Sequence, residues 1–196
     1  MKPMAELPYM TSNDLPEGIR AQVVDLLNQR LADAIDLGTQ TKQAHWNVKG
    51  PHFIALHKLF DEVHGAVEDY VDLLAERVVQ LGGIAAGTAR IAAQRSTLPE
   101  YPHAIAAGAE HVNALAKALA WFGSQVRRAI GETTDWGDHD SADLCTEISR
   151  GVDKWLWFVE AHVQSRSRSP ARSEIERRKP GTRGTASRAA AGLVTR

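Results

Sequence analysis

The chain has 196 residues, 43% hydrophobic and 24% charged, with a formal charge of −1, as expected of one globular domain with room for an appendage. Its one cysteine, Cys145, excludes an intrachain disulfide framework and a thiolate zinc cluster and reads as a small buried apolar residue in a helix. No apolar run approaches the ~18 residues of a membrane span and the opening MKPMAELPYM has no apolar stretch like that of a secretory signal, so a cytoplasmic protein without a membrane partner is expected.

Residues 1–14 read as a short flexible arm. A first helix starts after Asn13 or Asp14, both good N-caps, with Pro16 in its first turn. Val23, Leu27, Leu31 and Ile35 recur at helical spacing, and the pattern runs to about Val48 and stops at Gly50. Pro51 opens a second helix that reads on to Leu81 and ends at Gly82-Gly83. Residues 82–102 form a long connection with a short helix near 89–95. A third long helix spans roughly 103–130 and stops at Gly131, residues 131–140 form a turn-rich loop, and a fourth covers about 141–164 with Asp140 or Ser141 as cap. No strand is evident, so residues 15–164 are expected to form an all-α four-helix bundle with a crossover between its second and third long helices.

The composition changes at Ser165. Residues 166–196 carry nine Lys/Arg against Glu174 and Glu176, a net +7, whereas the other 165 residues net −8. Residues 165–196 are therefore expected to be a disordered basic tail.

The second helix holds two pairs of metal-type side chains, His57/Asp61 and Asp72/Glu76, each four residues apart. At ~100° per residue all four fall within one stripe, but the pair midpoints are 15 residues apart, or ~22 Å of rise. One ion with ligands at ~2 Å cannot bridge that gap. A two-fold axis crossing near residues 66–67 resolves it, because His57/Asp61 of one chain then faces Asp72/Glu76 of another. Gly65 and Ala66 at the crossing are small enough for close approach. His45 ends the first helix and reaches the level of His57 across the Gly50-Pro51 turn. Imidazole plus carboxylate without thiolate suits iron, manganese or zinc. His64 and Glu68 share the stripe, so the stripe alone does not select the five ligands. A polar stripe is also what a solvated helix face looks like.

The segments KQAHWNVKGPHFIALHKLFDEV and DLLAERVVQLGG, with GVDKWLWFVEAH late in the fourth helix, resemble the Dps family, the DNA-binding proteins from starved cells, or mini-ferritins, of the ferritin-like superfamily. The resemblance covers roughly residues 20–164, and the spacing His45, His57, Asp61, Asp72, Glu76 matches the family motif without departure. It implies a dodecameric shell of four-helix subunits and a ferroxidase with di-iron centres shared between subunits. Such a shell oxidises Fe(II), preferentially with hydrogen peroxide, stores the ferric product as a mineral and protects DNA from oxidative stress. By position, His45, His57, Asp61, Asp72 and Glu76 would hold the metal, with zinc or manganese as possible substitutes for iron. Trp46 would donate electrons and limit radical escape, although on its own it reads as a core aromatic at a helix end. True ferritins instead use Glu-x-x-His within one bundle, and here only Glu100–His103 matches, with Pro102 inside it.

Acidic residues concentrate at Glu132, Asp135, Asp138, Asp140, Asp143 and Glu147. Helix capping accounts for one or two. In the family this region lines three-fold pores, so Asp143, with Asp138, Asp140 and Glu147, is expected to draw Fe(II) inward. The tail is either a solubilising extension or a non-specific DNA-binding arm acting through Arg172, Arg177, Arg178, Lys179, Arg183 and Arg188. The N-terminus offers only Lys2 for that role. The alternative to an iron-oxidising cage is a nucleoid-associated, DNA-compacting protein whose metal site matters little.

Overall fold

The computed structural model of the chain describes residues 5–164. Their order is α1 (Glu17–Asn47), α2 (Phe53–Gln80), α3 (Ala89–Arg95), α4 (Gly108–Asp135) and α5 (His139–Glu160). The four long helices pack as two hairpins, α1 with α2 and α4 with α5, around a core that includes Leu27, Leu31, Phe60, Leu74, Leu119, Phe122 and Ile148. Cys145 lies in that core, where burial pushes its thiol up to about 12. It packs as an apolar residue rather than a reactive thiolate.

Two contacts fix the connectivity in space. In the α1–α2 turn, the Lys49 N–H donates to the Ala106 carbonyl at 3.0 Å, and the Gly108 N–H donates to the Lys49 carbonyl at 3.2 Å. The start of α4 is therefore tied to the same end of the bundle as the start of α2. At the other end, the Arg77 guanidinium near the end of α2 meets Asp138 at 2.9 Å and the Ser141 hydroxyl at 2.9 Å, at the start of α5. Helices α2 and α4 thus run in the same direction. Parallel neighbours cannot be joined by a tight turn, so residues 81–107 must travel the length of the bundle.

That crossover is held along α1 by polar side chains. Asn28 donates to the Ile84 carbonyl at 3.0 Å and accepts from the Ala86 N–H at 2.8 Å. Gln29 donates to the Arg95 carbonyl at 2.7 Å, the Thr97 N–H donates to Asp33 at 2.8 Å, and Gln40 donates to the Pro99 carbonyl at 3.0 Å. Asn28, Asp33 and Gln40 are buried. Each satisfies a backbone group that the linker would otherwise leave unpaired.

Several boundaries differ from the sequence expectation. Pro16 is the N-cap of α1 rather than a first-turn residue, and Asn13 instead accepts from the Leu15 N–H at 3.0 Å in a local turn. The arm expected to be flexible is partly fastened from Ala5 on. Ala5 and Leu7 pack against the core, and the Tyr9 N–H donates to the Gly82 carbonyl at 3.3 Å. Helix α4 starts at Gly108 rather than 103, where Glu110 accepts the Ala107 N–H at 3.0 Å. It then continues through Gly131 to Asp135. Burial of Ala129 and Thr133 on either side outweighs the ~1 kcal/mol helix penalty of glycine. The reversal falls at Gly137, whose φ of 80° suits a residue without Cβ, and α5 begins at His139 with Asp138 as cap. The expected 131–140 loop is therefore a tight turn. The expected basic tail lies outside the described residues.

Asp138 is 2% exposed, so removing its cation leaves a carboxylate buried without a counter-charge. Arg77→Leu is expected to destabilise the protein by about 3–5 kcal/mol, read as a shift in the guanidinium unfolding curve. Asp138→Asn, which keeps the cap acceptor, should cost less.

Candidate metal centre

The α1–α2 turn brings His45, in the last turn of α1, over His57, in the first turns of α2. Their rings stack with centroids 3.7 Å apart and planes at 21°. The His45 Nδ1 lies 2.7 Å from the His57 carbonyl, and the His57 Nδ1 lies 2.9 Å from the His45 carbonyl. A carbonyl oxygen only accepts, so each Nδ1 carries the proton and donates it. Both imidazoles are thereby set in the tautomer whose Nε2 lone pair is free for a metal.

Asp61 follows one turn after His57. Its carboxylate is 3.8 Å from the His45 Nδ1 and is ion-paired with Lys42. The hydrogen bond from Lys42 holds the Asp61 carboxyl below its usual range. Lys42 had no place in the sequence reading. The signal that could have found it was its position one turn before His45 on α1, across the turn from Asp61. A cation at this carboxylate is the electrostatic partner that an incoming metal would replace.

Asp72 and Glu76 are exposed on the same continuous α2, with no side-chain hydrogen bond or ion pair to other described residues. The two half-sites remain separated by the ~22 Å that α-helical rise imposes. Among the described residues of this single chain, no three His, Cys, Asp or Glu side chains group around a common metal position. The chain thus brings together His45, His57 and Asp61 as neighbours but does not bring Asp72 and Glu76 to them. At the proposed crossing Gly65 is exposed, and a Cβ built there would meet nothing within 4 Å.

Trp46 is 64% exposed, so the reading of it as a core aromatic is corrected. The α1 surface turns it outward beside His45, onto a groove of about 770 Å³ that it shares with Ile35, Lys42, His64, Ala92 and Leu98.

The acidic group divides. Asp138 is enclosed: its carboxylate accepts the Ser141 N–H at 3.0 Å, binds the Ser141 hydroxyl and pairs with Arg77. It serves as a cap and counter-ion, not as part of an open acidic surface. Asp140, Asp143 and Glu147 are exposed, at positions i, i+3 and i+7 of one α5 face. The six basic residues assigned to DNA, Arg172, Arg177, Arg178, Lys179, Arg183 and Arg188, lie outside the described residues. No helix among the described residues is long and apolar enough to cross a membrane.

Comparison with known proteins places this geometry in a family. The ferritin-like domain family matches residues 24–168. A DNA protection during starvation protein of Agrobacterium fabrum is 43% identical over 159 residues, covering 81% of this chain and 98% of the relative. The solved structure of DpsA14 from Streptomyces coelicolor superposes with a TM-score of 0.77 at 31% identity, over 82% of this chain and 95% of that one. Dps from Microbacterium arborescens, solved in a high iron form, gives a TM-score of 0.72 at 31% identity, over 79% and 98% of the two chains. The chain belongs to the ferritin-like proteins, and within them to the Dps, or mini-ferritin, family.

Proposed function

We propose that the protein is a ferroxidase and iron-storage cage, with Fe(II) and hydrogen peroxide as substrates. The observation that carries the reading is the reciprocal His45–His57 hydrogen bonding, which leaves both Nε2 lone pairs unused, with Asp61 3.8 Å from the His45 Nδ1. Family membership supports the general ferroxidase and DNA-protection role. The relative solved in a high iron form supports iron as the cargo.

The chemistry follows from the ligand set. His45 and His57 supply neutral nitrogen donors, and Asp61 supplies the first carboxylate once Lys42 withdraws from it. Asp72 and Glu76 of a second, antiparallel copy complete the site, and carboxylate oxygens favour the harder Fe(III) product. Two Fe(II) held together deliver two electrons to one peroxide. With two protons, one hydrogen peroxide becomes two waters and two Fe(III) form, so no one-electron step releases hydroxyl radical. Trp46, exposed beside His45, would reduce oxidant that escapes. Twelve such subunits would enclose the mineral, and zinc or manganese would compete for the same ligands.

A shared site makes a specific demand on mixed assemblies. His57→Ala and Glu76→Ala chains should each be inactive alone. A His57→Ala/Glu76→Ala pair of chains, however, retains one site built from the intact His57 of one and the intact Glu76 of the other. Random co-assembly should therefore restore about one quarter of the rapid peroxide-dependent Fe(II) oxidation, followed by ferric absorbance. No restoration would refute the shared centre.

Asp140, Asp143 and Glu147 are proposed to guide Fe(II) towards the interior by local potential. Asp143→Asn with Glu147→Gln should slow mineral growth at low Fe(II) while leaving oxidation at the shared centre in place. Unchanged uptake would remove the acidic face from the pathway.

A second reading, nucleoid association by DNA binding, rests on the charge of residues 166–196. An arm of net +7 on an otherwise acidic chain binds phosphate without sequence preference. Deleting 166–196 should abolish gel retardation of duplex DNA. In the full chain, raising salt from about 50 to 200 mM should weaken binding about 10³-fold if six phosphates are contacted.

A further inference from the structure

His64 and Glu68 belong to the ligand stripe of α2 but not to either half-site. His64 sits against α1, where its Nδ1 lies 3.1 Å from the Gly38 carbonyl. As at His45 and His57, an acceptor-only partner places a proton on Nδ1, so Nε2 is the nitrogen left to bind a metal. That Nε2 is 3.3 Å from the Glu68 Oε1, one turn along α2. The His64 side chain is 22% exposed and that of Glu68 is 69% exposed. His64 and Glu68 thus form an imidazole–carboxylate pair midway between the two half-sites.

The antiparallel docking that pairs position 57 with 76 and 61 with 72 has its centre between 66 and 67. The partner's Glu68 then stands at the level of Gly65, one residue or ~1.5 Å of rise from His64. By the same symmetry the partner's His64 stands one residue from Glu68. The axis is also strongly acidic, because Asp61, Glu62, Glu68, Asp69 and Asp72 of each copy lie on or beside this stretch of α2. Two neutral imidazoles and two carboxylates on a two-fold axis make a four-donor set without thiolate, suited to a divalent transition ion.

We infer that two docked copies form a further metal site on the two-fold axis, in which His64 and Glu68 of each copy hold one divalent ion of the zinc, cobalt or manganese type. This rests on the shared-centre reading above. The ion sits ~11 Å from the ferroxidase centre on either side. It offsets the carboxylate repulsion that docking creates, and it cross-links the two α2 helices at their closest approach.

The test uses Co(II) and the assembled full chain carrying His57→Ala and Glu76→Ala together, which removes both ferroxidase centres. After equilibrium dialysis, metal analysis should find about half an ion per chain that disappears on adding His64→Gln or Glu68→Gln. Failure of this site and failure of the docking read out differently. If the mixed-chain oxidation rescue succeeds but cobalt content is the same with and without His64→Gln, the axial site is wrong and the docking stands. If the rescue also fails, both fall. A His64-dependent stoichiometry of one ion per chain would likewise overturn the axial placement, because each copy would then hold its own metal.

Discussion

An unbroken α-helix cannot bend back on itself, and everything distinctive about this protein follows from that stiffness in α2. Its two ligand pairs share a face but are fixed ~22 Å apart by helical rise. No rearrangement within the chain closes that distance while residues Phe53–Gln80 stay helical. On the proposed function, the ligands that complete the first pair come from another copy, and the chemistry is a property of assembly.

The fold keeps that helix in place at both ends. Near its start, the His45–His57 exchange and the Lys49 bridge to the start of α4 lock the turn. Near its end, Arg77 ties it to Asp138 and Ser141 at the start of α5. Glu76 is the residue next to Arg77, so the buried ion pair that secures the bundle would also set the height of the proposed last ligand. Metal donors on rigid, doubly anchored elements need little reorganisation when a partner arrives.

Much of this was written in the sequence, because helical periodicity and metal-ligand spacing are both local codes. The short helix at 89–95, the all-α class and the crossover followed from spacing and turn residues, while the set His45, His57, Asp61, Asp72 and Glu76 came from the family resemblance. What escaped depended on contacts between distant segments. Gly131 looked like a stop, yet packing of Ala129 and Thr133 carries the helix past it. Asp138 looked like one acid among six until Arg77, 61 residues away, enclosed it. Trp46 looked like core, but the rotation of α1 at its end turns the ring outward. Lys42 was silent because its partner Asp61 belongs to the next helix.

The polar seam on α1 inverts the usual relation between helix and loop. Asn28, Gln29, Asp33 and Gln40 bond mainly to main-chain groups of residues 84–99, and of the crossover side chains only the Thr97 hydroxyl bonds to one of these four, Asp33. Much of the information that routes the crossover is therefore stored in the helix, and the crossover is held to particular side chains at few positions, among them Gly83, Ala92, Ser96 and Thr97. Drift should accumulate in the strap while the helical residues that clasp it stay fixed. This part of the surface can take on new side chains without disturbing the path of the chain beneath them.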